Sequence, residues 1–246
     1  MGRANVVRTR VDPTFSRSIS FSNVTVNTPL RPTTQRGVLG ALITPYARHD
    51  PPRTITVVGN APMPGSAARA ALIDDSDLVV RMTSFAVDAP GGPPRLGRRT
   101  DVVMLHRGVI AGPGTFADHT SRLYLLVEPG REHWEREERP DWWPPSAGAV
   151  PVSNQEFTRP LNDLLGLDGA DVVWATTGTL TTYLVSELFP DAATRLTGVS
   201  IVDAPEQTRF AHDWGEDVTV TPEHRLHAES ALLKAWHTQG RIELVR

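Results

Sequence analysis

The 246-residue chain contains no cysteine, which excludes disulfides, thiolate metal sites and a cysteine nucleophile. It has no apolar run near the roughly 20 residues of a membrane span, and its first residues lack the apolar stretch of a secretion signal. A cytoplasmic protein is the expectation, and the sequon at Asn23-Val24-Thr25 carries no weight without secretion. Positive charge is not in excess either. With 25 basic and 28 acidic residues the formal net charge is −3, so nothing electrostatic points to nucleic acid or an anionic membrane. Lysine occurs once beside abundant arginine and proline, the composition of a GC-rich, bacterial-type genome.

What is present describes a globular protein. Hydrophobic residues make up 39% and charged residues 22%, and the length suits one large domain spanning 1–246. Residues 1–53 read as an extension of strands and loops, with a half-exposed strand in "SISFSNVTV" at 18–26. Short aliphatic runs at 54–58, 78–82, 100–107 and 122–129 predict strands. The stretch 129–150, with Trp142 and Trp143 among prolines and charge, reads as a surface loop or flap, or as a packed irregular loop.

The C-terminal half alternates in the same way. Strands are expected at 170–175, 198–203 and 241–245. A helix over 179–189 carries Leu180, Leu184 and Leu188 at helical spacing, and another follows Thr221 as N-cap with Pro222 next and Gly240 past its end. Ser66 is placed to cap a short helix through Leu72. Strands alternating with helices predict a single-domain α/β protein, a Rossmann-like sheet with helices on both faces.

Three places can carry chemistry. Gly59-Asn60 follows a strand; the glycine allows close approach by another molecule, and the amide both donates and accepts. Thr176-Thr177-Gly178 sets hydroxyls and a glycine at a strand end opening a helix, where amides and dipole favour an anion, although the same residues suit plain N-capping. His224 stands near the start of the last helix with Glu229 five residues on; a positive potential there keeps imidazole neutral and basic. His224 and His227 are also spaced as a weak metal pair, and His237 reads as surface. Asp75-Ser76-Asp77 matches the Asp-x-Asp pattern that holds a divalent metal in many glycosyltransferases.

Order and spacing unite these signals. "VVGNAPMPGSAARAALIDDSDLVVRMTSF" resembles the long motif of the family 29 sialyltransferases, and "LGRRTDVVMLHR" its tail. "ATTGTLTTYLVSELFPDAATRLTGVSIVD" is similar to their short motif, and "HRLHAESALLKAWHTQGRIELV" to their very short motif. "AHDW" at 211–214 is similar to the third motif. The resemblance covers 54–107 and 170–246; its departures are Thr83 in place of the family's asparagine and the lack of the family's disulfide and membrane anchor.

The resemblance implies a GT-A-variant-like fold and a metal-independent, inverting transfer from a CMP-activated sugar to an acceptor hydroxyl, with no cofactor. It assigns donor contacts to Gly59, Asn60, Arg81, Thr83, Thr176, Thr177 and Gly178, a general base to His224, an acid at the leaving phosphate to His212 and support to Glu229. Two rivals stand beside it: a metal-dependent transferase of nucleotide-diphosphate sugars using Asp75 and Asp77, and a non-catalytic nucleotide-binding protein.

Overall fold

The structure, a computed structural model, describes residues 34–106, 112, 114–128, 143–167 and 173–246. The chain divides between Pro32 and Thr33, and the described residues all belong to the second unit, Thr33–Arg246. The strand expected at 18–26, residues 170–172 of the strand expected at 170–175, and Trp142 with most of the 129–150 loop lie outside the described residues.

Seven strands form one parallel sheet. They are β1 (Thr54–Val58), β2 (Leu78–Met82), β3 (Val102–His106), β4 (Leu123–Val127), β5 (Val150–Pro151), β6 (Ala193–Thr197) and β9 (Glu243–Leu244), in the order β5-β4-β3-β2-β1-β6-β9. A separate antiparallel hairpin joins β7 (Arg209–Ala211) to β8 (Asp217–Thr219).

The two-residue period of a strand sorts its side chains onto two faces. Ile55, Val57, Leu78, Val80, Met82, Val102, Met104, Leu125 and Val127 form one core face, shared with Leu180 and Leu184 of α4 (Thr177–Leu188) and Leu233 and Trp236 of α5 (Leu226–Thr238). The alternate residues Val58 and Val79 pack with Ile73 of α2 (Ala67–Asp75), while Val103, Leu105 and Tyr124 pack with Phe85 and Trp143. Both faces being covered explains why these strands read as continuous aliphatic runs rather than alternating ones. The result is a Rossmann-like α/β sheet with helices on both sides.

Several boundaries depart from the sequence reading. The link at 43–53 is preceded by a helix, α1 (Gln35–Ile43), which buries Leu39 and Ile43 and was hidden by its two glycines. The strand expected at 198–203 lies one step earlier, in β6; Ile201 and Val202 instead form a buried 3₁₀ turn beneath α5. Helix α5 starts at Leu226, so Thr221 and Pro222 belong to the approach and not to the helix. Trp143 is no surface residue: its ring packs against Phe116 and Tyr124, and its Nε1 donates to the Ala147 carbonyl at 2.8 Å.

The chain order matters for the site. Successive strands move outward from β1 through β5, and the chain then returns to add β6 on the other side of β1. The switch between β1 and β6 opens a crevice at the carboxyl ends of the strands, the place where open α/β sheets take their ligands.

Candidate active site

At that crevice lies a cavity of about 580 Å³. Gly59 and Asn60 reach it after β1, Thr83 after β2, His106 at the end of β3, and Gly198 to Ser200 after β6. Thr176, Thr177 and Gly178 open α4 into it, the β7–β8 hairpin contributes Phe210, His212 and Glu216, and the approach to α5 contributes Thr221, Glu223 and His224. Segments more than a hundred residues apart therefore share one cavity.

Gly59 is a structural contact. Its amide donates to the Thr197 carbonyl at 2.8 Å, and an added Cβ would overlap the Gly198 carbonyl. Gly198 has φ +67° and is also crowded, since a Cβ there would lie 2.8 Å from the Gly59 carbonyl oxygen. The close approach expected at Gly59 is met by the chain itself, and this glycine pair closes the crevice floor.

Asn60 is committed in part. Its Nδ2 donates to the Met82 carbonyl at 3.0 Å and to Thr83 Oγ1 at 2.8 Å, using both amide hydrogens. The side chain therefore offers a ligand its Oδ1 acceptor and no donor, which suits a hydroxyl or amino group and not a phosphate. Thr83 is held at φ +56°, a left-handed conformation that costs a β-branched residue about 1–2 kcal/mol.

At α4, Thr176 is the N-cap: its hydroxyl accepts from the Thr179 amide at 3.4 Å. Glu229, fully buried on α5, ties this turn down. Its Oε2 accepts from the Thr176 amide at 3.0 Å and from the Thr176 and Thr179 hydroxyls, each at 2.6 Å. Glu229 thus supports the α4 N-terminus directly, leaving the Thr177 and Gly178 amides at the first helical positions beside the cavity.

His224 lies two residues before α5, outside the helix. Its Nδ1 is 3.1 Å from the Trp174 carbonyl, and the Trp174 amide donates to the Glu223 carbonyl at 3.1 Å. A carbonyl only accepts, so Nδ1 carries a proton, and in the neutral ring the lone pair is on Nε2. The Phe210 ring stands edge-on at 6.4 Å. His224 also borders a second cleft of about 670 Å³ with Val173, Gln207, Val220 and His227.

His212 packs against Trp214 with ring centroids 4.6 Å apart, and its Nδ1 lies 3.6 Å from Glu216 Oε2. The next residue anchors the hairpin. The Asp213 amide donates to the Asn60 carbonyl at 2.8 Å, and its carboxylate takes both guanidinium nitrogens of Arg95 at 2.5 and 2.8 Å.

Other expected residues lie elsewhere. Arg81 does not line the cavity: it is enclosed on the opposite sheet face, donating to the Leu96 and Arg99 carbonyls and to Thr100 Oγ1. Burial lowers its pKa to about 10, so it remains a cation that braces the 96–100 loop. Asp75 and Asp77 precede β2, at the end of the sheet away from the cavity. Asp77 gives its carboxylate to His49 Nδ1 at 2.6 Å and to the Arg53 and Thr54 amides. Asp75 and Asp77 therefore lie outside the cavity lining. Among the described residues no cluster of three or more His, Asp or Glu is placed to bind a metal ion. His227 and His237 are exposed on α5.

The sequence reading missed His106, Trp174, Phe210 and Glu223. Only His106 had a usable signal, a polar residue at the carboxyl end of a core strand.

No family model and no curated protein matches the chain. Among solved structures it is similar to a mammalian sialyltransferase in complex with Gal-beta-1-3GalNAc-ortho-nitrophenol, at 20% identity and TM-score 0.49 over 78% of this chain and 69% of that one. It is likewise similar to a further structure of a mammalian sialyltransferase, at 18% identity and TM-score 0.49 over 88% and 80%. No described helix is long and apolar enough to cross a membrane.

Proposed function

We propose that the protein is an inverting glycosyltransferase that moves a sugar from a CMP-activated donor to an acceptor hydroxyl without a metal. The observation that carries this reading is the single cavity shared by the α4 N-terminus and a His224 whose Nε2 is left basic by the Trp174 carbonyl. The ordered resemblance of 57–85, 175–203 and 224–245 to the sialyltransferase motifs supports the donor class.

In this reading the phosphate sits at the Thr177 and Gly178 amides, where dipole and unpaired N–H groups favour one anionic group. Asn60 Oδ1 accepts from a hydroxyl or amino group of the nucleotide. His224 Nε2 takes the acceptor proton as the acceptor oxygen bonds to the anomeric carbon and the bond to the phosphate oxygen breaks on the opposite side. His212 faces the departing phosphate, and no step calls for a cofactor.

Thermal-shift titration with CMP, CDP and UDP tests the donor class, because a ligand that binds only the native state raises the melting temperature. Selective stabilisation by CMP, followed by transfer from a CMP-sugar in chelator, is the expected result. Equal stabilisation by UDP, or activity abolished by chelator and restored by Mn²⁺, overturns the proposal.

A further inference from the structure

The third imidazole of the cavity has no part in the scheme above. His106 ends β3, in register with Val127 of β4, and lines the cavity with His212 and His224. Each ring comes from a different element: a core strand, the hairpin and the approach to α5. The described lining also carries two carboxylates, Glu216 and Glu223, so its ionisable cations are these imidazoles. A phosphate entering here meets two carboxylates, opposed by the α4 amides.

The three rings are not equivalent. His224 is the base and loses its function if protonated, and its Nδ1 is committed to Trp174. His212 sits on the hairpin beside Glu216. His106 is on the sheet itself. Burial draws its pKa below the ordinary 6.5, Glu128 just past β4 raises it, and His224 lowers it again. Burial thus disfavours the charged ring, and an anion held in the same cavity favours it.

We propose that His106 is the proton-uptake residue of the nucleotide cavity: when a phosphate monoester occupies the site, His106 takes one proton from solvent, and the imidazolium holds the added charge. This rests on the nucleotide-binding reading above and extends it to the product, whose phosphate carries one more negative charge than it did in the donor. No bond other than N–H forms. The consequence is a product grip that loosens as pH rises, by up to about tenfold per pH unit for one linked proton.

The test is calorimetric titration of CMP at pH 7.0–8.5, where its phosphate is largely dianionic, in two buffers of different ionisation enthalpy. The wild type should take up a substantial fraction of one proton per CMP bound. His106→Gln should bind CMP with near-zero uptake, and its affinity should no longer change with pH. Histidine Cε1 shifts of the unmutated protein give a variant-free readout: the His106 pKa should rise on adding CMP. Uptake unchanged in His106→Gln, a His106 pKa unmoved by CMP, or CMP binding without proton uptake each overturns this proposal and leaves the transferase reading intact. Failure of CMP to bind at all overturns both.

Discussion

Gly59 and Gly198 lie backbone against backbone where β1 and β6 end, and neither has room for a Cβ. Rigid carbonyls, not flexible side-chain ends, stand in the way, so the chain cannot yield locally. Gly59→Ala should cost on the order of 3 kcal/mol, the upper end for overpacking a dense site. Urea denaturation followed by far-UV circular dichroism measures it. A loss below about 1 kcal/mol would show that the crevice floor can spread.

Glu229 couples the two helices of the site through Thr176 and Thr179. Replacing it with Ala leaves two hydroxyls and an amide without their acceptor, and opens a void in a fully buried place. The expected loss is about 3–5 kcal/mol, while Gln, which keeps one carbonyl acceptor, should cost about 1–2 kcal/mol. CMP affinity should fall in both variants, because the Thr176 cap fixes the amides that follow it. Chemical denaturation and CMP titration on the same preparations check both effects.

His224→Ala should lower transfer by about 10²–10⁴, the usual scale for a general base. In the proposed reading the ring serves the acceptor, so CMP affinity should change by no more than a few-fold. Steady-state kinetics with a CMP-sugar and calorimetry with CMP separate the two quantities. A drop in affinity as large as the drop in turnover would move His224 from chemistry to binding.

The strands were legible because parallel strands buried on both faces must be aliphatic throughout: Thr54–Val58 and Leu78–Met82 fall where the sequence places them. Helix α2 was legible from Ser66, whose hydroxyl accepts from the Arg69 amide. β6 was not, since Thr194, Arg195 and Thr197 give it a polar composition, while the apolar Val199, Ile201 and Val202 beyond it belong to a turn. The site was legible as a set of strand ends, and their meeting follows from topology. What could not be read was the direction of each side chain. Asn60 turns its donors inward, Gly59 meets Gly198, and Arg81 faces the other side of the sheet, because each is decided by partners distant in sequence.

The pair of His49 and Asp77 gives the fold an acid-sensitive point. Burial pushes the Asp77 carboxyl upward, but the His49 ring and the Arg53 and Thr54 amides together outweigh it and hold the pKa below the ordinary 3.8. A carboxyl with a depressed folded pKa stabilises the protein above its unfolded value, and that share is lost as pH falls through the folded value. Stability should therefore decline below about pH 4 more steeply in the wild type than in Asp77→Asn. Urea midpoints between pH 2.5 and 5 test this, and parallel curves for the two proteins would remove Asp77 from the account.

Arg95 and Asp213 fix the hairpin over the cavity. Asp88 shapes the loop that delivers the arginine, accepting from the amides of Arg95, Leu96 and Gly97 at 2.8–2.9 Å. The Asp213 side chain is 4% exposed and that of Arg95 37%, so removing the arginine strands a buried carboxylate. Arg95→Met should destabilise by about 1–3 kcal/mol, less than for a fully buried pair because water reaches one partner. Asp213→Asn in the same chain should recover much of that loss, since no unpaired charge is then enclosed. The hairpin also carries His212, so Arg95→Met should raise amide exchange across 209–219 and weaken CMP binding. Hydrogen exchange with and without CMP measures both. Unchanged protection of 209–219 in Arg95→Met would mean that the Asp213 amide on Asn60 holds the hairpin without help from the ion pair.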